Sequence, residues 1–369
     1  MSWVEWAGRE GERIREAGQW RAVRDLDGGG PAFGLDGRAV TSFASNDYLG
    51  LSQHPGVMAA AHEALDRSGA GSGSARLIVG GRPVHRDLEE ELAAWKGQDQ
   101  AVLFATGFAA NLGVLSVVGG PGVTVLSDEL NHASIIDGCR LSRSTVGIYR
   151  HRDLDHLGAL LATAGRAVVV TDTVFSMDGD VADLTALAAL CAEWGALLVL
   201  DEAHAVLGPD LPNGLGAEIL RVGTLSKTLG SLGGFVAGPS ALVDLLVNRA
   251  RSYIFTTAST PADTAAALAA VQILRSAEGE ALVGRLRALV DRVRLSHPSP
   301  IVPIVLGDED RAVAASAALL ERGLLVPAIR PPTVPPGSSR LRITLSAAHT
   351  DEDVDRLLVA LDHLDARAA

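Results

Sequence analysis

The feature that most constrains this chain is an alternation. Six short β-rich runs, at 101–104, 123–127, 145–149, 167–172, 197–201 and 219–224, are separated by longer stretches, several of them rich in Ala and Leu. Most of the runs are apolar on both faces, as strands covered by helices on two sides must be. Residues 88–96 and 183–194 read as two such helices. Strand alternating with helix is satisfied by an α/β fold with a mostly parallel central sheet flanked by helices. In open sheets of this kind, ligands sit at the carboxyl ends of the strands, so the chemistry is to be sought there.

The flanks read differently. Residues 1–40 are expected to form an amphipathic helix followed by a Gly-rich turn at 28–31, an arm too short to hold its own core. Pro261 opens a long Ala-rich helical stretch, 262–294. Beyond it, strands at 301–305, 324–326 and 340–344 and helices at 312–322 and 351–364 predict a small α/β C-terminal domain. The division expected is an arm over 1–44, a large domain over 45–262 and a small domain over 263–369. Pro331, Pro332, Pro335 and Pro336 predict a rigid loop.

Charge and cysteine usage narrow the function. The 369 residues carry 32 Lys plus Arg against 44 Asp plus Glu, a formal charge of -12. An acidic surface repels phosphate backbones and argues against nucleic acid as a partner, while leaving room for a local basic pocket. Cys139 and Cys191 have no metal-ligand spacing, so no metal is expected, and two reduced cysteines fit a cytoplasmic protein. The N-terminus lacks the apolar stretch of a signal peptide, and no apolar run reaches the ~20 residues that span a bilayer, so no membrane association is expected.

Four segments each follow a predicted strand. Residues 223–230 place Lys227 among hydroxyl residues and glycines; a P-loop needs Gly before the lysine, and Ser226 stands there. Residues 197–204 end in Asp201-Glu-Ala-His204, a helicase-like tetrapeptide in a chain with no phosphate loop. Residues 127–134 carry His132. Residues 106–111 place Gly107 and Phe108 at a helix start, where free N–H groups bind anions. Singly, each has a plain reading: a surface lysine, a capping acid, a hydrogen-bonded histidine, a turn. Together they supply a phosphate cradle, a partner for an aromatic ring, an acid and an amine, the set required by pyridoxal 5'-phosphate. That cofactor is an electron sink carried on a lysine, with an acid on its ring nitrogen.

Five motifs extend this in order along the chain: Ser-Asn-Asp-Tyr-Leu-Gly at 45–50, Phe-Ser-Met-Asp-Gly-Asp at 175–180, Asp-Glu-Ala-His at 201–204, Thr-Leu-Ser-Lys at 224–227 and Arg-Pro-Pro-Thr-Val-Pro at 330–335. The chain resembles the α-oxoamine synthases among the fold-type I pyridoxal phosphate enzymes, nearly end to end. The resemblance implies that Lys227 carries the cofactor and later moves protons at the substrate α-carbon. It implies that Asp201 pairs with the ring nitrogen, His132 stacks on the ring and His204 contacts the ring 3-oxygen. Gly107 and Phe108 would hold the phosphate region by backbone contacts, with hydroxyls from Ser176 and Thr224. Arg342, with Arg340 as its rival, would clamp an amino-acid carboxylate by a bidentate guanidinium, and Asn46 would orient it. Arg21 and Thr333 match substrate-contacting positions.

The implied reaction condenses an amino acid with an acyl-CoA or acyl-ACP, with loss of CO2, in a homodimer. L-Alanine and a pimeloyl thioester are the pair implied, and sister synthases using other pairs are the alternative. Two departures stand out: Ala75 where the family usually carries Ser or Thr near the amino-acid pocket, and Ala205 where it usually carries Gly. Neither removes a chemical group from the cofactor set. A cofactor-binding regulator without activity would be expected to lack Lys227 or Asp201, and both are present.

Overall fold

The computed structural model describes residues 1–21, 23–211 and 214–364. The arm begins with helix α1 (Trp3–Glu16), started by a reciprocal cap in which Ser2 Oγ accepts the Glu5 N–H and the Glu5 carboxylate accepts the Ser2 N–H. No residue of α1 is buried. The helix stops well short of the predicted span. Three short strands follow, β1 (Asp27–Gly29), β2 (Ala32–Leu35) and β3 (Arg38–Ser42), paired as a meander. The turn between β2 and β3 has Asp36 and Gly37 at φ 50° and 75°, the left-handed region that stops a helix. β3 then pairs in parallel with a strand of the C-terminal part, Leu324 opposite Thr41.

Two helices with Pro in their first turn follow, α2 (Pro55–Ser68) and α3 (Pro83–Lys96). The predicted alternation then appears as β4 (Gln100–Phe104), α4 (Gly107–Val118), β5 (Val123–Asp128), α5 (Ala133–Leu141), β6 (Thr145–Tyr149), α6 (Leu154–Leu161), β7 (Arg166–Asp172), α7 (Leu184–Trp194), β8 (Leu197–Asp201) and β9 (Ile219–Thr224). A further strand, β10 (Gly234–Gly238), completes a seven-stranded sheet in the order β4-β10-β9-β8-β7-β5-β6. β10 pairs antiparallel with both β4 and β9, and the remaining pairs of the sheet are parallel. The sequence pattern did not show β10 because its five residues include two glycines. Those glycines are needed there: a Cβ on Gly234 would lie 2.4 Å from the Thr106 carbonyl. One sheet face is covered by α4, α5 and the following α8 (Ser240–Arg249), through Val114, Ile135 and Leu246. α6 and α7 cover the other with Leu157, Leu161 and Leu187.

After α8 come a short turn of helix, α9 (Arg251–Ile254), then α10 (Pro261–Leu274) and α11 (Ala277–Val293). The single long helix expected over 262–294 is therefore two. Ser276 re-starts the helix by accepting the Gly279 N–H, and Gly279 packs so closely on the end of α10 that a Cβ there would meet the Leu274 carbonyl at 2.3 Å. α10 lies against α2 and α3. The remainder is β11 (Ile301–Gly307), α12 (Glu309–Glu321), β12 (Leu324–Leu325), β13 (Ala328–Ile329), β14 (Ser339–Thr344) and α13 (Asp351–Asp362). β11, β14 and β13 form a small antiparallel sheet. One apolar cluster runs through Phe43, Leu88, Val271, Leu341 and Leu357, joining the end of the arm, the large sheet's helices and the C-terminal sheet. Among the described residues, no helix is long and apolar enough to cross a membrane. Both cysteines are buried and unpaired.

Candidate active site

The carboxyl ends of β4, β5, β7, β8 and β9 open into one cavity of about 250 Å³. Its walls include Gly107, Phe108 and His132 on one side and Asp201, His204 and Lys227 on the other. Ser176 and Thr224 also line it, so all eight predicted cofactor residues meet there. The strand-end turns are fixed by their own side chains. Thr106 caps α4 by accepting the Ala109 N–H at 3.0 Å, which leaves the helix N-terminus facing the cavity. His132 caps α5, its Nδ1 accepting the Ser134 N–H at 3.2 Å. The Phe108 ring stands edge-on to His132, with centroids 6.4 Å apart. The Thr224 hydroxyl donates to the Gly233 carbonyl at 3.0 Å and lies 2.7 Å from Ser226 Oγ. Ser226 also lines the cavity and is exposed, which makes it a second hydroxyl on the same turn.

Two acids stand side by side. β7 and β8 run in register so that Asp172 is the direct partner of Asp201. Asp201 is anchored at both oxygens: Oδ2 accepts from Asn111 Nδ2 at 2.6 Å and Oδ1 from the Ala203 N–H at 2.9 Å. Asp172 accepts the His132 N–H at 2.8 Å. Burial, and then the neighbouring Asp201, push the Asp172 carboxyl well above the usual range. Sequence reasoning missed Asp172, Asn111 and Ser226. A signal for Asp172 existed: it ends a strand adjacent to the one that Asp201 ends. Asn111 lies one helical turn beyond Gly107, on a helix already assigned to the cofactor.

Lys227 faces a buried imidazole, its Nζ 2.8 Å from His204 Nε2. Burial depresses the Lys227 ammonium, against the pull of Asp201 and Asp172. Burial also lowers His204 well below its ordinary value, helped by the charges of Lys227 and Arg342, so His204 is a neutral imidazole. His132 is lowered too, again chiefly by burial. Beyond His204, its Nδ1 touches the hydroxyl of Tyr48, which lies 3.1 Å from Asn46 Oδ1.

The two candidate arginines of β14 are separated by their partners. Arg340 forms an ion pair with Asp178. Arg342 has no carboxylate partner among the described residues; its Nε donates to the Ser176 carbonyl at 2.5 Å, Nη1 to Thr344 Oγ1 at 3.0 Å and Nη2 to Asn46 Oδ1 at 3.2 Å. Arg21 is exposed in the arm and makes no hydrogen bond or ion pair among the described residues, and Thr333 is exposed in the Pro-rich loop. Neither lines this cavity, nor does Ala75, which begins the turn Arg76–Gly80.

The donor set fits pyridoxal 5'-phosphate. A helix N-terminus and hydroxyls await an anion, a carboxylate awaits a ring nitrogen, an imidazole lies beside the space for a ring, and an amine awaits an aldehyde. Asn111 Oδ1 is buried beside Asp201 with no hydrogen-bond partner among the described residues, so a donor on a bound group fits there. A family model described as aminotransferase class I and II matches residues 38–361. An 8-amino-7-oxononanoate synthase of Anaeromyxobacter dehalogenans is 48% identical over 97% of this chain and 95% of its own length. A second, from Marinobacter nauticus, is 48% identical over 96% and 94%. The chain belongs to the 8-amino-7-oxononanoate synthase family.

As a member of the 8-amino-7-oxononanoate synthase family, the chain is a pyridoxal-phosphate-dependent acyltransferase with the fold-type I architecture. Solved structures agree on the fold. A serine palmitoyltransferase of Sphingomonas wittichii superposes with a TM-score of 0.89 at 29% identity, covering 98% of this chain and 96% of that one. The 8-amino-7-oxononanoate synthase of Francisella tularensis gives 0.73 at 28% identity, covering 88% and 96%. Backbone shape is thus shared with sister enzymes, and it is the 48% identity that singles out the 8-amino-7-oxononanoate synthase family.

Proposed function

We propose that the protein condenses L-alanine with a pimeloyl thioester, carried on CoA or ACP, to give 8-amino-7-oxononanoate for biotin biosynthesis. In this reaction a C–C bond forms between the alanine α-carbon and the thioester carbonyl carbon. The C–S bond breaks, the thiol leaves with a proton, the carboxylate departs as CO2, and the α-carbon regains a proton. Bound pyridoxal 5'-phosphate supplies the electron sink that makes the α-carbon acidic.

The observation that carries this reading is Arg342, a buried guanidinium with no carboxylate partner among the described residues, whose charge reaches both His204 and Lys227. It would hold the amino-acid carboxylate while Asn46 fixes its tilt. Lys227, its ammonium depressed by burial, is a positioned amine suited to take and return the α-proton. Asp201, held at both oxygens, would keep a proton on the ring nitrogen. His132 would cover the ring face, and His204 would meet the ring 3-oxygen. The N–H groups of Gly107 and Phe108, with the hydroxyls of Ser176, Thr224 and Ser226, would take the phosphate.

The similarity to serine palmitoyltransferase favours a second reading, a sister synthase using another amino acid and acyl chain. Measuring kcat/KM for glycine, alanine and serine against acetyl-, succinyl-, pimeloyl- and palmitoyl-CoA separates the two. Alanine with pimeloyl-CoA is expected to lead, with serine detectable, because one small substituent is worth only about 1–3 kcal/mol in a pocket. A tenfold lead (~1.4 kcal/mol) for any other pair assigns the chain to the sister activity.

A further inference from the structure

Asp201, Asn111, Ser134 and His132 are joined by hydrogen bonds whose directions are all forced. Asn111, Ser134 and Asp201 are buried. The Asn111 amide nitrogen gives one N–H to Asp201 Oδ2 at 2.6 Å and the other to Ser134 Oγ at 2.9 Å. An amide nitrogen cannot accept, so the Ser134 hydroxyl must turn its own proton elsewhere. Its other neighbour is His132 Nδ1, 2.8 Å away. The Ser134 backbone N–H reaches the same ring nitrogen at 3.2 Å. A backbone N–H can only donate, so Nδ1 accepts two bonds and carries no proton.

A neutral imidazole has one N–H, and the bond made at one ring nitrogen decides which nitrogen carries it. Burial holds His132 below its ordinary value, against the pull of Asp201. The ring is therefore the neutral Nε2–H tautomer. His132 lines the cavity, and its Nε2 makes no hydrogen bond among the described residues. None of these bonds competes with a cofactor. A ring lying on the imidazole face leaves Nδ1 on Ser134, and a ring nitrogen on Asp201 adds one donor to a carboxylate with acceptor capacity to spare.

We propose that Ser134 is a positioning residue: it fixes His132 as the Nε2–H tautomer, so that the imidazole over the cofactor ring presents a hydrogen-bond donor to an oxygen of the bound substrate. This rests on the reading of His132 as the residue that covers the ring face. The acceptor is the amino-acid carboxylate or the thioester carbonyl, both of which offer only lone pairs. The Nδ1–H tautomer would set a nitrogen lone pair against either oxygen. The titratable groups around His132 are Asp172 of β7, which accepts the His132 N–H, Asp201 and His204 at the end of β8, and Lys227 after β9.

The tautomer is read from ¹⁵N-histidine spectra of the protein with and without cofactor, with His132→Asn to identify the signals. Native His132 is expected to carry its proton on Nε2 in both forms. Ser134→Ala keeps the backbone donor and loses the hydroxyl. A hydrogen bond to the neutral form disfavours the charged form, so the His132 titration midpoint should rise by roughly half a unit to one unit in this variant. Ser134→Thr, which keeps the hydroxyl, should restore it. Turnover should fall about tenfold in Ser134→Ala, with cofactor retained, and return in Ser134→Thr. Ser134→Ala also frees one Asn111 N–H beside Asp201; the His132 midpoint separates the two effects, because a loosened Asp201 would not raise it. A raised KM for alanine places the donor on the carboxylate, and a lowered kcat at unchanged KM places it on the thioester. A proton on Nδ1 in the native holoenzyme, or an unmoved midpoint in Ser134→Ala, overturns the positioning role and leaves the ring-face reading of His132 standing. Full turnover in His132→Asn overturns that reading, and the positioning role with it. If Ser134→Ala does not fold, the native tautomer decides alone.

Discussion

Asp201 is held by two donors, and one of them, Asn111, comes from the helix α4 whose N-terminus faces the cavity. An anion so fixed cannot rotate away from a ring nitrogen, and it acts where little water can screen it. Asp201→Asn keeps the shape and removes the charge. It should retain cofactor, seen as the visible band after dialysis, while turnover falls by at least ~10²-fold; near-native turnover would contradict the role given to Asp201. At this scale the sequence was legible where a reactive residue type ends a strand or follows it within four residues, as with Asp201, His132 and Lys227. It was not legible where a role depends on a distant partner. Tyr48 lies in a quoted motif, yet its contact with His204 joins positions 156 apart. Arg340 and Arg342 are alike in sequence and are told apart only by Asp178.

Among the elements, the segment between β7 and α7 does the most to assemble the site. The Thr173 N–H and hydroxyl donate to the Asp201 carbonyl, the Ser176 carbonyl holds Arg342, Asp178 holds Arg340, and Asp180 meets His151. His151 lies between Asp128, 2.9 Å away, and Asp180, 2.8 Å away, with Arg152 also on Asp180 and the Phe175 ring edge-on at 4.3 Å. Burial opposes a charge on His151, but bonds to the two carboxylates outweigh it and raise the imidazole to about 9. Its stabilising contribution is therefore complete below the ordinary imidazole value near 6.5 and is lost as pH rises through about 9. His151→Gln should lower the melting temperature at pH 6 to 7, and the gap to the native protein should close above pH 9. A gap independent of pH would show that the carboxylates do not hold a charged imidazole. Element prediction from sequence succeeded for the apolar parallel strands. It failed at β10 and at the α10–α11 break, where glycines serve close packing rather than periodicity.

For the whole molecule, an exposed apolar surface lies beside α9. Leu77, Ile78, Val79 and Phe255 are 51%, 74%, 71% and 70% exposed, and the turn carrying the first three touches α9, which ends beside Phe255. An exposed apolar patch of this kind marks an association site. A second copy is the expected occupant, since symmetric dimers are the commonest assembly. Sedimentation at micromolar concentration should show a dimer, and Ile78→Asp with Val79→Asp should shift it toward monomer; an active native monomer would refute this. The contact between Asn46 and Arg342 spans 296 positions of the chain. During synthesis, Lys227 and the strand ends around it emerge well before β14 exists, and β11 and β12 stay unpaired with their final neighbours until then or until the arm docks. A chain still on the ribosome therefore has the parts of the cofactor pocket without the guanidinium beside them. Emergence of β14, rather than completion of the large sheet, is the event that brings the guanidinium to the site.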